Sequence, residues 1–174
     1  GGLDPASVLK EIETAAGGVD DEVRWDERPI DELVRHILAR YHASHRTELP
    51  RLIDLAERVE QVHAGKPDVP RGLACVLAEA REAVESHLAN EENILFPLIL
   101  SGRGRLAFMP VQVMVQEHED HGQTLRRIRE VAGGFRLPDH ACASWRELYR
   151  ALDQLETDLM DHIHKPITLR PRKL

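Results

Sequence analysis

Four histidines, His42, His87, His118 and His162, stand 45, 31 and 44 residues apart, and each interval has its midpoint in a segment suited to reversing the chain. These segments are Ala64-Gly65-Lys66-Pro67-Asp68-Val69-Pro70, Ser101-Gly102-Arg103-Gly104 and Leu137-Pro138-Asp139-His140. Glycine and proline break helices and stabilise turns. A chain that reverses at all three places becomes four antiparallel helices with one of these histidines on each, all at a common level. Side chains that converge in this way build metal sites inside helix bundles.

The periodicity supports helices in all four intervals. Ile30, Leu33, Val34, Ile37, Leu38 and Tyr41, then Leu49, Leu52, Ile53, Ala56 and Val59, recur with helical spacing from about 29 to 62, and Pro50 is expected to kink this helix. A second helix is predicted over 70–100, with Leu73, Leu77, Ala80, Val84, His87, Leu88, Glu91 and Leu95 on one side. A third, over 110–131, carries Val111, Met114, Val115, His118, Leu125 and Ile128; a fourth, over 141–165, carries Trp145, Leu148, Leu152, Leu155, Leu159, His162 and Ile163. Asp4 and Pro5 can start a short helix over 5–16, which Gly17-Gly18 ends, and residues 19–29 read as a linker. No window alternates as a strand would. The fold class predicted is all-α, an up-down-up-down four-helix bundle over 29–174 preceded by a short N-terminal helix and linker in 1–28.

Composition narrows the function. At 174 residues the chain is long enough for one domain with a real core, and 42% hydrophobic with 30% charged residues is a globular balance. A formal net charge of −7 argues against nucleic-acid binding, and the one basic run, Arg170-Pro171-Arg172-Lys173, reads as a solvated tail. No apolar run reaches the ~18 residues of a membrane span, and the opening Gly1-Gly2-Leu3-Asp4-Pro5 carries no secretory signal. Cys75 and Cys142 match no zinc spacing and are read as reduced core thiols, which points to the cytoplasm. Ten histidines in one acidic domain call for a metal.

His87 and Glu91, four apart, stack on one helix face. A carboxylate there can bridge two ions while imidazoles cap them, a donor set that suits iron or manganese. His45 and His121 each follow one of the four histidines by three, and are either further ligands or donors to the ligands. His63 lies 21 residues after His42, about 31 Å along a helix, so it belongs at the bundle end as a solvated or capping residue. His36, His140 and His164 are expected to face solvent. Gly122, one turn after His118, either leaves room beside a metal or permits close helix packing.

These segments together resemble the hemerythrin-like di-iron bundles, in particular the repair-of-iron-centres subgroup. The resemblance is carried by Arg40-Tyr41-His42, His45-Arg46, Leu49-Pro50, Val62-His63, Lys66-Pro67, Ser86-His87, Glu91-Glu92, Ile94-Leu95-Phe96-Pro97, Glu117-His118-Glu119 and Leu159-Met160-Asp161-His162-Ile163. It implies a non-haem di-iron centre with His42, His87, His118 and His162 as ligands and Glu91 as a bridge. It further implies a cytoplasmic role in restoring iron–sulfur clusters damaged under nitrosative or oxidative stress, by donating iron or by chemistry with NO or nitrite. The partners implied are damaged iron–sulfur proteins and the small ligands NO or O₂, and a homodimer is compatible with it. Whether the chain is an enzyme stays open. Two rival readings are an O₂ or NO carrier or sensor without turnover, and a metal-free helical interaction domain whose site has decayed.

Two departures accompany the resemblance. Members of the subgroup carry an N-terminal domain ending in Cys-Cys-Gly-Gly, so residues 1–28, beginning at Gly1-Gly2, read as its remnant and a linker. The pattern also calls for a glutamate four residues after His162, where Pro166 stands, which leaves one iron as the only firmly held ion unless another group replaces the bridge. Asp158, one turn before His162, is the nearest carboxylate for that purpose.

Overall fold

The structure is a computed structural model and describes Trp25 and residues 28–164. The expected helix over 5–16, most of the linker, the basic tail and Pro166 lie outside the described residues. Two compact units are distinguished, 1–33 and 34–174. In the first, Arg28 pairs with Glu32 at 3.0 Å.

The four expected rods are present, and the described residues contain no strand. The first consists of α1 (Ile30–Ile37), a π-helical turn π1 (Leu38–His42) and α2 (Ala43–Val62). The second is α3 (Leu73–Asn90), π2 (Glu91–Leu95) and α4 (Phe96–Leu100). The third is α5 (Phe108–Val131) and the fourth α6 (Ala143–His164). α2 continues through Pro50, whose ring nitrogen has no hydrogen to give the Arg46 carbonyl.

Neither π turn is visible in the periodicity. The N–H of Ala43 reaches back five residues to the Leu38 carbonyl, and that of Phe96 to the Glu91 carbonyl. Each wide turn accommodates one extra residue, a distortion that concentrates at functional sites.

Side-chain contacts fix the antiparallel order. Near one end His42 meets Glu91 and Glu92, and at the other Glu60 accepts the backbone N–H groups of Gly72 and Ala74. That carboxylate serves orphaned donors at the start of α3, where Gly72 adopts φ +81°, a conformation suited to glycine. α2 and α6 run oppositely in the same way, with His45 beside His162, Arg51 bonded to Glu147 and His63 bonded to Cys142. α3 and α5 are joined by Glu79–Arg127 and His87–Glu117.

Between these ends the core is continuous. Leu52, Ala56, Leu73, Leu77, Leu88, Trp145, Leu148 and Leu152 are all buried within it. Each large apolar side chain removed from water stabilises the fold by ~1.5–3 kcal/mol. Two expectations fail here. Val115 is 55% exposed, because the inward stripe of α5 runs through Met114, His121, Leu125 and Ile128 and leaves Val115 on its flank. Cys75 is exposed on α3 rather than in the core, while Cys142 is half-buried, and both are free thiols.

Candidate metal centre

The rods bring His42, His87, Glu91, His118 and His162 together. His42 arrives at the end of π1 and Glu91 at the start of π2; His87 is one turn back on α3, His118 lies mid-way along α5, and His162 is near the end of α6. Their donor atoms form two sets, His42–Glu91–His162 and His87–Glu91–His118, and within each set the atoms lie within 4.8 Å of one another. Glu91 belongs to both. Its Oε2 lies 3.0 Å from His42 Nε2, 3.4 Å from His162 Nε2 and 3.7 Å from His87 Nε2.

His45 and His121 complete the cluster. Both are buried, and their rings stand 5.4 Å from His162 and 5.0 Å from His87. The cluster therefore has six imidazoles around one carboxylate. The signal for the additional pair is the repeated His-x-x-His spacing of 42–45 and 118–121, which puts two imidazoles on one face of each rod.

Burial without partners is the clearest property of this cluster. His45 Nε2, His87 Nε2, His118 Nε2, His121 Nε2, both ring nitrogens of His162 and Glu91 Oε1 are buried with no hydrogen-bond partner. Buried polar groups in folded proteins are normally paired. His42 is informative as well. If its Nδ1 proton is committed to Glu92 at 2.8 Å, the Nε2 lone pair confronts the Glu91 carboxylate. Such a contact is favourable only with a proton or a cation between the two atoms.

The electrostatics agree. Burial, then the fields of neighbouring histidines, lower His45 to about 3. Burial followed by His87 lowers His118 to about 4, and the same two causes lower His121 to about 4. Burial also lowers His162, against the hydrogen bond from Glu91. Burial works to raise Glu91, but the hydrogen bonds from His162 and His42 outweigh it and hold the carboxyl well below the usual range. The cluster is thus an ionised carboxylate among neutral imidazoles, the protonation states that metal binding requires.

Outer carboxylates orient the rings. Glu92, next to Glu91 in the chain, takes the His42 Nδ1 proton and is itself held by Arg46 at 2.7 Å, with Arg46 also gripping Glu85. Glu117, next to His118, accepts from His87 Nδ1 at 2.8 Å and from Asn90 at 3.1 Å. Pinning the far nitrogen directs Nε2 inward, the arrangement common around bound metals. Sequence reading placed Glu92 and Glu117 in motifs without giving them this part. Their signal is position, an acid directly beside a ligand-type residue on a neighbouring rod.

Other expectations are corrected. Asp158 does not join the cluster; its Oδ1 accepts from Arg40 at 3.0 Å and Gln154 at 3.2 Å. Its carboxylate faces the guanidinium because that pairing stabilises a nearly buried charge. His36 is not solvent-facing but half-buried, edge-on to Tyr41 at 5.8 Å, whereas His140 is exposed as expected. His63 caps the C-terminus of α2, outside the cluster. Gly122 serves neither suggested purpose: an added Cβ would meet only the tip of Arg126, at 3.9 Å.

Comparison with known proteins gives a consistent picture. The profile "Hemerythrin HHE cation binding domain" matches residues 33–166. "Iron-sulfur cluster repair protein YtfE" of Cronobacter sakazakii is 45% identical over 154 residues, covering 88% of this chain and 70% of the relative. Proteins of the same name from Edwardsiella ictaluri and Escherichia coli O157:H7 are each 44% identical, covering 83% and 82% of this chain and 65% and 64% of their own lengths. The chain thus spans about two thirds of the length of these relatives. Among the described residues no helix is long and apolar enough to cross a membrane. With a family profile over most of its length and a buried His/Glu cluster that can hold a metal, the chain belongs to the hemerythrin HHE cation-binding family.

Proposed function

We propose that the chain holds two iron ions at Glu91 and acts in the cytoplasm to repair iron–sulfur clusters damaged by nitrosative or oxidative stress. The observation that carries this reading is the pair of donor sets sharing one buried carboxylate, each supplied by side chains from different rods. The names and identities of the relatives support the repair role, and the charge of −7 suits protein clients better than nucleic acid.

In this reading His42 and His162 hold one ion, His87 and His118 the other, and Glu91 joins them. His45 and His121 supply one further donor on each side. Bound iron would provide reversible one-electron chemistry and coordination positions for NO or O₂. The residues of the chain do the rest. Glu92 and Glu117 keep the Nδ1 protons of His42 and His87, so that the Nε2 lone pairs stay free to bind. Tyr41, stacked on His162 at 5.3 Å, and Phe96, beside His42 at 5.8 Å, shield the imidazoles from water. With one carboxylate and otherwise neutral donors, the cluster neutralises little of the ions' charge, which favours ferrous iron and its release to a client.

The test is anaerobic reconstitution followed by iron analysis and transfer to an apo iron–sulfur enzyme. The expected result is about two irons per chain, with recovery of client activity proportional to iron lost. Iron at the level of a chelator-treated blank overturns the metal reading. Full loading with a stable, reversible O₂ adduct and no transfer overturns repair in favour of a carrier.

A further inference from the structure

The end of the bundle away from the metal cluster holds a second pair of chemically active side chains. His63, at the C-terminus of α2, places its Nε2 3.1 Å from Cys142 Sγ, across 79 residues of chain. Both residues are half-buried. Trp145, fully buried, packs on the His63 ring with centroids 4.9 Å apart and so fixes its orientation. Cys142 directly precedes α6, and its carbonyl accepts the Arg146 N–H at 3.1 Å, which puts the sulfur at the start of a 22-residue helix.

This is the constellation that activates thiols: a nucleophile within hydrogen-bond reach of a base, and a base oriented by a third group. A helix N-terminus adds a field that favours negative charge on the sulfur. The other thiol is an internal control. Cys75 is more exposed, but its hydrogen is directed to the Glu79 carboxylate at 3.7 Å, and no imidazole faces it among the described residues. The metal cluster uses neither His63 nor Cys142. Among the described residues no third donor joins them in a metal-binding set, so the pair is suited to thiol chemistry rather than to an ion.

We infer that Cys142 is a reactive thiol, activated by His63, that forms mixed disulfides with low-molecular-weight disulfides such as oxidised glutathione. In the exchange His63 Nε2 takes the thiol proton as Cys142 Sγ attacks one sulfur of the disulfide. A new S–S bond forms as the old one breaks, and the leaving thiolate receives the proton from His63. One disulfide is consumed, one is formed, and a free thiol departs, so no outside oxidant is needed.

The experiment treats the full chain with dithiodipyridine near neutral pH, quenches with an alkylating agent, and maps each cysteine by mass spectrometry. If exposure alone governed the rate, Cys75 would react first. The inference requires Cys142 to react at least ~10-fold faster, a conservative share of the 10²–10⁴ typical of a positioned base. His63→Gln should erase this advantage, and so should His63→Phe, which keeps an aromatic ring against Trp145. Neither variant should alter Cys75, and the pH profile at Cys142 should revert to that of a simple thiol. Faster reaction at Cys75 in the unaltered chain overturns the inference without any variant. A Cys142 rate within about twofold of wild type in folded His63→Phe overturns it as well.

Discussion

Removing the metal should cost this fold far more stability than losing a surface ion would. Seven buried atoms in the cluster lack hydrogen-bond partners: four Nε2 atoms, both nitrogens of His162 and Glu91 Oε1. An unsatisfied buried polar atom costs ~1–3 kcal/mol, so the low end over the whole cluster is ~7 kcal/mol. For a chain of this length each kcal/mol shifts the melting temperature by ~2–4 °C, which gives ~14 °C at least. Water admitted to the metal-free cluster would satisfy some of these atoms and could halve the effect, leaving ~7 °C as the smallest expected difference. Calorimetry of anaerobically iron-loaded and chelated protein measures this difference directly. Glu91→Ala, which removes the shared ligand, should abolish the metal-dependent increment. Hydrogen exchange should place the loss of protection around 38–45, 87–95, 114–121 and 158–162. If chelation shifts the melting temperature by less than about 2 °C, the unpartnered atoms do not mark a metal site and the reasoning fails.

Two further outcomes follow from single features. Glu92→Ala and Glu117→Ala each free the far nitrogen of a histidine and should weaken metal affinity by roughly 10–100-fold; competition against a chromogenic chelator measures this, and a change under about twofold would show the carboxylates to be bystanders. Gly122→Ala should stabilise the protein by ~0.5–1 kcal/mol, because the helix gains a residue of higher propensity and the new methyl group meets only Arg126. A lower denaturation midpoint in that variant would reveal a constraint on Gly122 that the packing does not show.

The arrangement of rods was legible because it depends on local signals. Gly and Pro mark the three reversals, and the apolar period of residues such as Leu52, Leu77 and Leu148 identifies the buried faces. The equal spacing of His42, His87, His118 and His162 then follows from rods of similar length meeting at one level. What was not legible depends on tertiary competition. Asp158 has the right residue type and spacing for a ligand, but Arg40, 118 residues away in sequence, faces it instead. His45 and His121 have the same period as solvated residues, and only the packing of four rods shows that their positions are interior. The π turns escape a reading based on period because their effect is a change of phase within a helix that otherwise continues.

That change of phase has a consequence for how such a protein can vary. Removing one residue from π2 would return the second rod to uniform pitch and turn everything beyond it by about 100° relative to what precedes it. His87 would keep its place, while Phe96 and Ile99, both now interior, would swing toward the surface. The widened turn is therefore an adjustable joint. It lets the register of the donors and the register of the grease that follows them be selected separately along one continuous rod. A single-residue deletion there would be far more damaging than most substitutions at the same positions.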